Sequence, residues 1–170
     1  MKYSLLILAI MTPLTISAAD EGAPSKAAAE FGNRWTRTRS LAVGVAAAMP
    51  AELYGFKPHP ESMTFGELMA HIARANYAFC AGIKDKPTPP QPADQSKAAQ
   101  VKLVGDSFDY CTGVIATLTD PELRQFHSSP DGRLTGSEIL LALYVHMAHH
   151  RGQAEIYLRE KGIKPPSYVF

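Results

Sequence analysis

The chain has almost no net charge, only two cysteines and, beyond its first residues, no long apolar run, and each shortage removes a class of function. Lys and Arg number 17 against 16 Asp and Glu, a formal charge of +1 with histidine neutral. No basic surplus exists to meet phosphates, so a nucleic-acid role has no electrostatic support. Past the N-terminus no stretch approaches the roughly 20 apolar residues that a spanning helix needs. Alternation of apolar and polar residues never runs far enough to mark a useful strand. What is present is apolar content of 46% in 170 residues, enough for one compact domain with a real core and too short a chain for a second.

The start, "MKYSLLILAIMTPLTISAAD", puts Lys2 before an apolar run from Tyr3 to Ile16 and small residues Ser17, Ala18 and Ala19 before Asp20. This is the pattern of a secretory signal over residues 1–19, cleaved after Ala19, with residues 20–170 as the mature domain. The alternative is a retained anchor, although Leu5 to Ile16 is short for a span. Without Lys2 the count is 16 basic against 16 acidic residues. The expectation is a periplasmic or secreted protein with no membrane attachment after cleavage. An oxidising compartment permits a disulfide between Cys80 and Cys111, and two buried thiols are the alternative.

Four helices account for the rest of the chain. The first, about Lys26 to Met49, carries Phe31, Trp35, Thr38, Ala42, Val45 and Met49 at three- and four-residue spacing and is closed by Pro50. "MTFGEL" opens the second, about Phe65 to Ile83, with the capping-box pair Thr64 and Glu67 between staple residues Met63 and Leu68. "LTGSEI" repeats the device with Thr135 and Glu138 before a fourth helix, about Gly136 to Lys161, which Gly162 and Pro165 stop. The third, about Ser96 to Leu118, alternates Val101, Val104, Phe108, Cys111, Ile115 and Leu118, and Asp120-Pro121 ends it. The fold class is therefore all-α, most simply a four-helix bundle. Between helices two and three, "IKDKPTPPQPADQ" holds prolines 87, 89, 90 and 92. At about 3.1 Å per residue, roughly a dozen such residues reach nearly 40 Å, enough to cross a bundle and set helix three parallel to helix two. An ordinary solvated loop is the other reading.

"HMAHHRGQ", residues 146–153, holds three of the six histidines. The apolar seam of helix four runs Ile139, Ala142, Leu143, His146, His150, Gln153, Tyr157, so two imidazoles fall on positions expected to face the core. His150 is rotated about 40° from His146 and His149 about 60° the other way, which makes His146 and His150 the better pair. Two buried imidazoles one turn apart cost about 1–3 kcal/mol each when unpartnered. A shared cation at about 2.0–2.1 Å removes that cost; satisfied core histidines are the competing account. His71, in "ELMAHIARAN", lies beside the apolar face of helix two, where a lone histidine is more often packed or solvated than a ligand. His59, in a loop, and His127, beside "SSPDG", are expected to be solvated.

"MPAELYGFKPHPESMTFGELMAHIA" with "LLALYVHMAHHRGQAEIYLREKG" resembles the DinB family, a divergent group related to proteins of the YfiT type, to which metal-dependent hydrolysis is attributed. The resemblance covers about residues 30–162 and is strongest at the histidine of helix two and at "HxxxHRGQ". It implies a bundle in up-down-down-up order and a divalent ion held by His71, His146 and His150, with His149 flanking. Parallel second and third helices, implied likewise, bring Cys80 and Cys111 to one end, where a disulfide and two core thiols are equal alternatives.

Three neutral imidazoles leave a coordination position open, the arrangement of catalytic zinc sites, where water or a substrate thiolate is activated. The resemblance implies a hydrolase acting on a small molecule or a metal-dependent thiol transferase; export removes the cytoplasmic thiols that such a transferase uses. A non-catalytic metal-binding module is the alternative. Zinc or nickel is the expected ion, with iron or manganese after them. No carboxylate stands out as a general base, because Glu67 belongs to the capping box and Glu155 falls off the histidine face. His149, Arg151 and Gln153 are the candidates for contacts around the ligands or to substrate. Homodimerisation stays open.

Overall fold

The computed structural model describes residues 22–168. The expected signal segment, 1–19, lies outside the described residues. Most of the described chain is helical: α1 Lys26–Ala48, α2 Phe65–Gly82, α3 Lys97–Ile115, a short α4 Asp120–Arg124, and α5 Gly136–Glu160. None of these helices is long and apolar enough to cross a membrane.

Each long helix begins where a side chain satisfies its free amides. Ser25 caps α1 by accepting from Ala28 N, and Ser96 caps α3 by accepting from Ala99 N. Complete capping boxes open the two histidine-bearing helices. In α2, Thr64 Oγ1 accepts from Glu67 N at 3.2 Å while Glu67 Oε2 accepts from Thr64 N at 2.7 Å. In α5, Thr135 and Glu138 do the same at 3.3 and 2.8 Å. α1 ends at Ala48, with Met49 extended ahead of Pro50.

The four long helices share one core. Trp35, fully buried on α1, stacks on Phe108 of α3 with ring centroids 4.4 Å apart and donates from Nε1 to the Phe108 carbonyl. α2 meets α3 through the Cys80–Cys111 disulfide, with Cα atoms 5.4 Å apart, and through Asn76 Nδ2 donating to Ser107 Oγ at 3.1 Å. α2 meets α5 through Phe65 and Tyr157 at one level and Phe79 and His146 at another. α1 meets α5 through Phe31 and Tyr144.

The chain between α3 and α5 departs from the all-helical expectation. Helix three stops at Ile115, and Asp120-Pro121 starts α4 rather than merely ending its predecessor, because Thr119 and Glu122 form a third capping box and proline suits the first helical turn. A two-stranded antiparallel hairpin follows, β1 Phe126–Ser129 against β2 Gly132–Thr135, turning at Pro130-Asp131 with Gly132 at φ 102°. Four residues per strand are too few for alternation to be read along the sequence.

His127, expected to be solvated, is only 2% exposed. It donates from Nε2 to the Glu122 carbonyl at 2.8 Å, and its Nδ1 lies 3.2 Å from Asp85 Oδ2. The ring thereby ties β1 to α4 and to the end of α2. Two glycines let this layer close: a Cβ at Gly82 would collide with the Ser128 carbonyl oxygen, and one at Gly136 with that of Glu122.

Candidate metal centre

His71 stands two turns into α2, and His146 and His150 stand one turn apart on α5. The packing of α2 on α5 brings the three rings together. His71 Nε2 lies 3.0 Å from His146 Nε2 and 3.1 Å from His150 Nε2, and one nitrogen from each ring fits within a 4.8 Å group. The rings are half-buried, neither sealed in the core nor free in solvent. This corrects the seam expected for α5. Leu143, Met147, Ala154 and Leu158 fill the core, the histidines flank that row, and Gln153 is exposed. The row of buried apolar residues sets the helix rotation, and the histidines occupy the adjoining edge.

The hydrogen bonds select nitrogens. His150 donates from Nδ1 to Gln153 Oε1 at 2.7 Å, so its Nε2 presents a lone pair to the other two rings. A single proton on His71 Nε2 can satisfy one of its two neighbours and leaves the other lone pair unmet. His146 Nδ1 is buried with no partner. A cation among the three Nε2 atoms meets every lone pair at once. Two ligands at about 2.1 Å from one ion lie roughly 3.0–3.4 Å apart for angles between square and tetrahedral, so the observed separations fit the donor set.

Electrostatics keep the rings in the form that binds metal. Burial, then the neighbouring His150, His71 and His149, push His146 down to about 4. Burial lowers His71 too, with Arg74 adding to it, and burial lowers His150 against the opposing bond to Gln153. All three are therefore neutral at pH 7.

The other singled-out residues separate by their place around α5. His149 is exposed and meets only the edge of His150, with centroids 4.8 Å apart, outside the donor group. Arg151 turns away, because at 100° per residue it stands about 140° round the helix from His146. Its guanidinium stacks on Tyr168 at 4.5 Å and faces Glu155 at 3.5 Å, beside Arg37 and Thr38 of α1. Gln153 is the one that reaches the donor group, through His150. Phe79, legible in the sequence only as core, also belongs here, with its ring 6.0 Å from that of His146.

A family model described as the DinB superfamily matches residues 34–154. The chain belongs to the DinB superfamily. YjoA of Bacillus subtilis is 25% identical to this DinB-superfamily chain over 129 residues, 73% of the chain and 84% of that protein. A DinB-like protein of Bacillus cereus shares its fold with a TM-score of 0.71 at 21% identity, covering 82% of this chain and 95% of the other. The crystal structure of YjoA aligns with a TM-score of 0.69 at 21% identity, covering 83% and 96%. At that identity the likeness is one of fold.

Proposed function

We propose that this DinB-superfamily protein holds one divalent ion through Nε2 of His71, His146 and His150, with coordination positions open to solvent, and hydrolyses a small molecule there. The observation that supports it is the convergence of three half-buried Nε2 atoms at 3.0 and 3.1 Å. A divalent ion in that set would supply Lewis acidity to a carbonyl or to water. The chain's own residues do the remaining work. Burial holds the rings neutral, Gln153 fixes which nitrogen of His150 faces inward, and the Thr64–Glu67 capping box secures the start of α2 two turns ahead of His71. Imidazole donors suit zinc or nickel, followed by iron; manganese is the fourth candidate. Because the donor group consists of histidines alone among the described residues, a non-catalytic metal-binding module is the second reading.

The bundle we propose runs up-down-down-up. Asn76 with Ser107 and Cys80 with Cys111 share a separation of 31 residues, as parallel α2 and α3 require. Gly32 faces Ile115 while Gly105 faces Val43, and Phe65 meets Tyr157 while Phe79 meets His146, the reversed order of antiparallel pairs. The proline-bearing segment 83–96 then serves as the crossover. Residues 1–19 are proposed as an export signal and the periplasm or exterior as the destination; the disulfide supports an oxidising compartment.

Elemental analysis of untagged wild type and His71→Ala, followed by an ester and amide substrate panel on loaded, metal-free and His71→Ala protein, tests both parts. One ion per wild-type chain, lost in the variant, and turnover confined to the loaded wild type are expected. Equal activity in all three preparations would sink the enzyme, and uniform inactivity of a loaded protein would favour the binding module.

A further inference from the structure

One hydrogen bond away from His150, through Gln153, lies a cavity of about 390 Å³ between residues 61–63 and the α5 residues Gln153, Ile156 and Tyr157. Its walls are fixed by bonds that owe nothing to a ligand. Tyr157 donates its hydroxyl to the Met63 carbonyl at 2.9 Å and packs edge-on against Phe56, over which Lys161 Nζ sits at 3.6 Å. The turn leading to Glu61 is held by Ser62 N donating to the His59 carbonyl and Lys57 Nζ to that of Pro60. A volume near the lower end of the usual 300–1,000 Å³ range suits a small organic molecule.

The chemistry of these walls is lopsided. Glu61 is exposed and its carboxylate makes no ion pair among the described residues. Met63 is half-buried and Ile156 is 51% exposed, so an apolar strip lies along the same opening. Gln153 belongs both to the cavity wall and to the histidine centre, because its Oε1 accepts from His150 Nδ1. A larger cavity of about 520 Å³ beside the proline segment has no such unengaged charge: Asp94 accepts from Ser96, and Asp106 pairs with Lys102. The apolar pocket between α1 and α5 is lined by Tyr144, about 160° round α5 from His146, and so opens on the other side of that helix.

We propose that the cleft between Glu61 and Gln153 is the recognition subsite of the histidine centre and takes a small organic cation, its charge at Glu61 and its apolar body along Met63 and Ile156. The assignment rests on the metal reading for what the histidines do and on the cleft alone for what is bound. Because Gln153 orients the His150 ring, a molecule seated against its side chain is coupled to a ligand through one hydrogen bond.

Two probes of the same ring and opposite charge, benzyltrimethylammonium and phenylmethanesulfonate, test the charge preference by amide-shift titration of the full chain. The ammonium should bind wild type about fivefold more tightly, the scale of one exposed ion pair, and move signals of Glu61 to Met63, Gln153 and Ile156. Glu61→Gln should bring the two probes level and Glu61→Lys should invert their order; Glu61 is exposed, so neither change threatens folding. Equal binding of both probes to wild type, or shifts confined to the proline-lined cavity, would overturn the proposal. Cobalt loading tests the coupling: the ammonium should alter the visible spectrum of the wild type and not that of cobalt-loaded Gln153→Ala. An unaltered wild-type spectrum at saturating ammonium overturns the link to the centre. Failure of the wild type to bind cobalt refutes the metal reading alone, since the titration of the cleft proceeds without it.

Discussion

Acid applied to the metal-free protein tests what burial does to the His146 ring. In the folded chain this imidazole is pushed down to about 4 by burial and by three neighbouring histidines. In the unfolded chain it titrates near its ordinary value of about 6.5. Above pH 6.5 the ring is neutral in both states and the full folding free energy is present. As pH falls from 6.5 to 4 the unfolded chain binds a proton that the folded chain refuses, so stability is lost with acid. At about 1.36 kcal/mol per pH unit the ceiling is about 3.4 kcal/mol, and water reaching a half-buried ring reduces it to roughly 1–2 kcal/mol. His71 and His150, lowered in the same direction, add to the slope. Urea unfolding of chelator-treated wild type and His146→Leu at pH 7, 5.5 and 4.5 measures the difference. The wild type should lose roughly 1–2 kcal/mol more than the variant over that range, and parallel pH curves for the two proteins would refute the reasoning. With metal bound, protons and ion compete for the same nitrogens, and occupancy should fall steeply between about pH 6 and 4.

Three further outcomes are expected. Chelation should lower the melting temperature of loaded wild type by roughly 5–10 °C, the equivalent of about 2.7 kcal/mol for free metal at a hundred times its dissociation constant, and should leave His146→Ala/His150→Ala unmoved while His149→Ala behaves as wild type. Calorimetry with and without chelator decides this, equal sensitivity of wild type and double variant being the adverse result. Replacing both Cys80 and Cys111 by alanine removes a bridge across 31 residues and should cost about 3–4 kcal/mol of unfolding free energy in urea. His127→Phe should cost about 1–3 kcal/mol by the same assay, because the Glu122 carbonyl loses its buried donor, and a variant as stable as wild type would deny His127 its pinning role.

The helices, their starts and the histidine pair were legible because each rests on a local rule. Thr64 with Glu67 and Thr135 with Glu138 announce helix starts by composition alone, and both form in full. What was hidden depends on contacts between distant segments. His127 reads as a loop residue beside a turn, and nothing near it in the sequence reveals that Asp85, 42 residues earlier, and the end of α2 close over it. Thr119 and Glu122 carry the same capping signature as the starts of α2 and α5, but Pro121 between them reads equally as a stop. Arg151 adjoins His150 in sequence and points elsewhere in space, as the 100° step of the helix dictates. The link from Gln153 to His150 was visible only as a spacing of three residues, which allows a bond without requiring one.

The half-burial of the histidines follows from residues outside the donor group. On α5, Ile139, Leu143, Met147 and Leu158 are buried and large enough to dictate how the helix is turned toward the core. His146 precedes Met147 by one residue, so the turn that seats Met147 at 0% exposure swings His146 about 100° toward the edge, where His71 of α2 meets it. Had the histidines themselves filled the core row, they would be dry and closed to substrate; had they lain on the far face, they would be solvated and charged in mild acid. The edge supplies both properties that the proposed open site needs, burial that lowers the affinity of the rings for protons and exposure that leaves them half-accessible. Because apolar packing holds this arrangement, the ordering of the donor atoms is already met by folding and would not draw on the affinity for the proposed ion.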